Sequence, residues 1–166
     1  MTKSRRILFI FWLSLICFYA KAQTGLQTSD STYYQHWIGK WYKFEGGNLA
    51  NAPTFIVKRG LYHSSFEEYW IGAGGGFSTA WRAWDSRTQQ WDFAWMSIDA
   101  LFQLWEGKKI KGIWYMYRMF IIDEKEVISR QAFIPKGQNE LVRTSEHSRD
   151  GGKTWQLRFK ETYRKR

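Results

Sequence analysis

This sequence predicts an all-β domain, a single antiparallel up-and-down β-barrel of roughly eight to ten strands. Three observations carry that expectation. Aromatic and β-branched residues alternate with polar ones at period 2 in several short segments, turn residues recur between those segments, and no long amphipathic helix follows the N-terminal apolar run. Closure is favoured over an open sandwich because a ring leaves no aromatic-rich edge strand free to pair with other chains. A barrel of that size has room for interior side chains or one small ligand.

Residues 1–22 join a basic start (Lys3, Arg5, Arg6) to an apolar run from Ile7 to Ala20. They end in Ala20-Lys21-Ala22, the small-residue pattern of a signal-peptidase site. A cleaved signal helix is therefore expected, with the mature protein exported to the periplasm or the extracellular space and not integral to a membrane. Cleavage after Ala22 leaves 144 of the 166 residues, a single-domain length. Cys17, the only cysteine, lies within the signal, so the exported chain has no thiol, disulfide or cysteine-bound metal and must rely on packing. The formal charge of +10 includes Lys3, Arg5, Arg6 and Lys21 of the signal, which has no acid, and +6 remains. Its densest cluster is the terminal Arg164-Lys165-Arg166, read as a solvated tail.

Residues 23–32 are polar and aperiodic, which predicts a disordered leader ahead of a folded domain at 33–166. A short helical turn over Tyr33 to Ile38 leads into Gly39 and a first strand, Lys40 to Glu45. Turns are expected at Gly46-Gly47-Asn48, Arg59-Gly60, Gly72 to Gly76, Asp85 to Gln90, Glu106-Gly107-Lys108, Asp123-Glu124-Lys125, Lys136 to Asn139 and Asp150-Gly151-Gly152. Between them, Tyr62, Ser64, Phe66, Glu68 and Trp70 share one parity, and Trp91, Phe93 and Trp95 share another. Phe77 to Trp84 reads as a strand. Ile113 to Phe120 is apolar or aromatic on both faces, as in a strand covered twice or one lining a ligand surface.

The octet Ser148 to Trp155 describes a β-hairpin. Gly151 and Gly152 accept positive φ, Asp150 can bond backbone amides across the loop, and Thr154 and Trp155 launch the last strand. In that strand Trp155, Leu157, Phe159 and Tyr163 are expected on one face, with Gln156, Arg158, Lys160 and Thr162 on the other.

The ordered set Trp37-Ile38-Gly39-Lys40-Trp41, Glu68-x-Trp70, Gly74-Gly75-Gly76-Phe77-Ser78, Trp84-Asp85, Arg130-x-x-Phe133, Ser148 to Trp155 and Tyr163-Arg164 resembles a bacterial family of exported lipocalin-like (calycin-type) β-barrels, a domain of unknown function. The resemblance implies the fold and export; it carries no substrate and no catalytic residue. The terminal octet is also similar to the Asp-box of sialidases, but those propellers repeat it, and this chain has one copy.

No catalytic constellation stands out. His36, His63 and His147 lack metal-ligand spacing, no nucleophile elbow exists, and Gly72 to Gly76 precedes a strand instead of the helix that a phosphate loop requires. No metal site and no cofactor are expected. Glu68 and Arg118 each share parity with apolar neighbours, so if both face inward they need partners, and one expectation is that they pair with each other and orient a polar ligand group. Trp37, Trp41 and Trp155, beside turns, are expected to plug or staple the barrel. Trp70, Trp81, Trp95 and Trp114, within strands, are candidates to line a cavity with Glu68 and Arg118. The leading functional expectation is binding of a small apolar or amphipathic molecule. The alternative is an isomerase, cyclase or hydrolase using an acid/base such as Glu68 or Asp92 in the cavity. Nucleic acid is not an expected partner, because the basic residues are dispersed. An outer-membrane barrel is disfavoured by the polar parity of the last strand.

Overall fold

The computed structural model describes residues 30–61, 63–72 and 76–166. The expected signal, residues 23–29 of the leader, Tyr62 and positions 73–75 of the glycine run lie outside the described residues. Asp30–Thr32, assigned to the leader by composition, forms a 3₁₀ turn, and a second one follows at Gln35–Trp37 where a helical turn was expected.

Eleven strands follow: β1 (Gly39–Glu45), β2 (Asn48–Leu49), β3 (Phe55–Arg59), β4 (Ser65–Ile71), β5 (Phe77–Asp85), β6 (Gln90–Ser97), β7 (Phe102–Ile110), β8 (Ile113–Ile122), β9 (Lys125–Pro135), β10 (Glu140–Ser148) and β11 (Gln156–Lys165). All pair antiparallel. From β3 to β11 each strand pairs with its successor, β3 pairs with β1, and β1 pairs with β11, Trp41 opposite Lys165 and Phe44 opposite Thr162. That last ladder closes the ring. Because β2 is a two-residue stub on β1, the barrel proper has ten strands, as the alternation predicts.

One end of the barrel is plugged. The two 3₁₀ turns lay Tyr34 and Trp37, neither exposed to solvent, across the interior. Trp37 packs edge-on to Phe133 with ring centroids 4.5 Å apart, and its carbonyl accepts the Trp41 indole N–H at 2.7 Å. The Asp30 carbonyl takes the Trp91 indole N–H at 2.8 Å, and Lys165 Nζ donates to the His36 carbonyl at 2.7 Å, so the plug is bonded to strands on both sides. Trp37 and Trp41 thus have the structural place expected of them. Trp155 does not plug: it stands on the outer wall, its ring 3.9 Å from the Arg130 guanidinium and 5.7 Å from Tyr117.

Two local readings change. The expected turn at Glu106-Gly107-Lys108 is the middle of β7, and the chain reverses instead at Lys111 and Gly112, both with positive φ as a type I′ hairpin demands. Gly107 is there for space. A Cβ at that position would lie 2.2 Å from the Trp91 carbonyl oxygen and 3.3 Å from the Trp114 ring. In β11 the period-2 pattern breaks at a bulge: Glu146 opposes Leu157 while Ser145 opposes Phe159, so Arg158 is an extra residue. Phe159 and Tyr163 consequently face in, whereas Leu157, expected beside them, is turned out and 58% exposed.

The octet forms the hairpin its composition indicates. Asp150 accepts from the Thr154 amide at 2.9 Å and the Thr154 hydroxyl at 2.6 Å, the Ser148 hydroxyl donates to Asp150 at 2.7 Å and accepts from the Gly152 amide at 2.8 Å, and the Trp155 indole donates to the Gly152 carbonyl. These bonds hold the Asp150 carboxyl far below the ordinary carboxylate range.

Gly107→Ala is expected to cost roughly 3 kcal/mol, the upper end for an overpacked site, since the clash is with backbone; a melting point within a degree or two of the parent would contradict this. His36 gives a pH dependence. Its Nδ1–H donates to the Tyr33 carbonyl at 2.9 Å while Nε2 is buried, and burial pushes its pKa down from 6.5 to about 4. The unfolded chain therefore binds a proton that the folded chain refuses. Its contribution is full above about pH 6.5 and is lost as pH falls toward about 4, a change of roughly 3 kcal/mol. Urea unfolding across that window should show the slope, and His36→Leu should flatten it.

Candidate functional site

Inward parity assembles the barrel's interior in two layers. Between the plug and the open end lies a buried ion pair: Arg82 Nε donates to Glu68 Oε1 at 2.8 Å, with both side chains fully withdrawn from solvent. Register explains the meeting, since Glu68 on β4 opposes Ala80 on β5 and Arg82 is the next inward residue. The guanidinium sits among rings, 4.5 Å from Tyr34, 4.7 Å from Phe93, 4.9 Å from Phe133 and 5.6 Å from Trp37. Desolvated contacts of this type contribute about 2 kcal/mol or more. Burial disfavours the charge on Arg82, but the Glu68 carboxylate and Tyr34 together outweigh it, so the guanidinium pKa is held above its ordinary value. The second Glu68 oxygen accepts the Trp70 indole N–H at 3.0 Å.

Above this layer the barrel opens into a cavity of about 910 Å³. Trp70, Phe93 and Phe133 belong to its floor, and Trp95, Trp105, Phe120 and Ile122 form an apolar wall on β6, β7 and β8. Facing them, Lys43 of β1, Arg143 of β10, and Arg158 and Glu161 of β11 make a charged wall. Loop residues Gly72, Gly76, Ile98 and Asp99 border the mouth, and the Gly72 amide bonds to the Gly76 carbonyl at 2.6 Å between the end of β4 and the start of β5. A volume of this order, mostly apolar with a few convergent polar groups, suits a drug-sized molecule.

Of the residues nominated from sequence, Trp70 and Trp95 line the cavity and Glu68 lies beneath it, reaching the lining through Trp70. Trp114 faces in but at the plugged end, packed at right angles to Trp84 with centroids 5.6 Å apart. Trp81 is on the outside. It neighbours Arg82 in one strand, so the two must face opposite ways, and its partners Glu67 and Ala94 are outer-wall residues. It is 43% exposed, in a patch with Met96 and Leu104. Arg118 does not pair with Glu68, whose carboxylate is taken by Arg82; its Nη1 donates to the Leu104 carbonyl at 3.0 Å. Asp92, the other candidate acid, opposes Ala83 and Glu106 on the outer wall.

Sequence reasoning missed Arg82, Lys43, Arg143, Arg158 and Glu161. For Arg82 a signal was available: Ala80, Arg82 and Trp84 share a parity, which makes a charge between apolar neighbours on the strand after Glu68. No protein-family model matches this chain, and no curated protein matches it. Among the described residues, no group of histidine, cysteine and acidic side chains could hold a metal ion.

Removing one member of the buried pair leaves the other uncompensated. Glu68→Leu or Arg82→Met alone is expected to destabilise by about 3–5 kcal/mol, and the double variant to recover most of the loss. A urea double-mutant cycle with simply additive losses would show that the pair is not coupled.

Proposed function

We propose that this protein is an exported barrel that takes up a small amphipathic molecule through its open end and holds it in the aromatic chamber. The observation that carries this reading is the two-sided cavity itself. About 910 Å³ of space stays unfilled although the interior around it is packed with large rings, and polar side chains converge on one wall only. A barrel needing its core only for stability has no use for such a space, because voids forfeit dispersion contacts. Export is supported by the N-terminal signal pattern, and the resemblance to exported lipocalin-like barrels agrees with the closed fold and with export. The chamber's rigid floor, set by Trp70 bonded to Glu68, favours holding a molecule in one pose.

The test is native mass spectrometry of the mature protein purified gently from its own host. A stoichiometric small-molecule adduct, lost on denaturation, is expected. Ser78→Trp, which projects an indole from the β5 wall into the chamber, should abolish it while preserving the melting curve. Clean apo masses, together with no change in tryptophan emission on titration with aliphatic and aromatic amphiphiles, would overturn the reading.

A further inference from the structure

The charge inside the cavity is unevenly placed. In a closed ring of ten strands, β11 stands five steps from β6 in either direction and β1 five steps from β7, so these walls face each other across the chamber. Lys43, Arg143 and Arg158 project from β1, β10 and β11, and Phe93, Trp95, Trp105 and Phe120 from β6, β7 and β8. The cationic wall carries a single acid, Glu161, and it is shared. Arg143 Nη1 is 3.5 Å from one Glu161 oxygen, Lys43 Nζ is 3.9 Å from the other, and the Tyr163 hydroxyl donates to Glu161 at 2.7 Å. Lys43 also reaches the exposed Glu45 at 3.2 Å. The other acid in the lining, Asp99, lies across the mouth on the β6–β7 loop, where it accepts from the Ser97 hydroxyl.

Two of the cations have binding capacity left over. Arg143 has a side chain only 21% exposed; its Nη2 donates to Gln131 at 2.8 Å, and its Nε is buried with no hydrogen-bond partner. The guanidinium is fixed in place between the rings of Trp70 at 4.7 Å and Phe159 at 4.8 Å, so it meets a ligand already oriented. Arg158 is the bulge residue of β11. The bulge turns it away from the outward side that simple alternation would give it and toward the mouth, and it makes no ion pair among the described residues.

We propose that the molecule held in the cavity is an anionic amphiphile, its acidic head group on Lys43, Arg143 and Arg158 and its apolar body against the β6–β8 wall. A carboxylate, sulfonate or phosphate ester meets this chemistry equally, and the aromatic wall sets no chain length. The inference rests on the cavity being a binding site.

Decanoate and decanol, equal in chain length and different in charge, separate the two claims, with tryptophan emission and isothermal titration as readouts at low salt. Decanoate is expected to bind at least about tenfold more tightly than decanol, the scale of a charge-assisted hydrogen bond, and the gap should narrow as salt is added. Arg143→Met should erase most of that preference. Arg158→Gln, at an exposed position where folding is not at risk, should reduce it severalfold. Equal affinities for the two probes, or a preference that survives both substitutions, would overturn the anionic assignment while the cavity reading stands. Binding of neither probe would remove both.

Discussion

Arg82 and Glu68 form a salt bridge from which solvent is wholly excluded, and the interior is arranged around the need to satisfy it. Desolvating both charges is expensive, so the surroundings must return that free energy through geometry. They do so in three directions. Downward, Tyr34 and Trp37 of the plug present ring faces to the guanidinium. Upward, Phe93 and Phe133 do the same from the floor of the cavity. Sideways, the second Glu68 oxygen holds the Trp70 indole. The pair therefore fixes where the packed half of the barrel stops and the open half begins.

From Trp70 the order passes to the charged wall. Its ring stacks on Phe55 at 4.1 Å and carries the Arg143 guanidinium, which in turn reaches Gln131 and Glu161. A continuous run of contacts thus joins the buried layer to the groups nearest the mouth. These mutual contacts hold otherwise flexible side chains in one arrangement, which is how a chamber keeps its shape without being filled.

Much of the architecture was legible because it depends on local rules. Alternation at period 2 and closely spaced turns marked strands, and the octet Ser148 to Trp155 names its own hydrogen bonds. The glycine at 107 misled because glycine serves both turns and close backbone approach, and only the position of Trp91 on the neighbouring strand distinguishes them. The candidate site was harder. Parity says that Trp81 and Arg82 face opposite ways but not which faces in; that is decided by Glu68 on the adjacent strand, and so by register. Arg158 lay further from reach, because a single inserted residue reverses the alternation after it, and nothing in Gln156-Leu157-Arg158-Phe159 announces the bulge.

The ladder between β1 and β11 differs from every other pairing in the sheet. The others join segments that follow one another closely in the chain, so they can form as hairpins, each closing a short loop. This one brings Trp41 to Lys165. Before that contact the chain is at best a curved sheet with two unpaired edges, its rings lying open along one face. The chamber has no existence at that stage, since its opposed walls are brought together only by the final strand. Burial of the aromatic interior and creation of a binding volume therefore both depend on that one ladder.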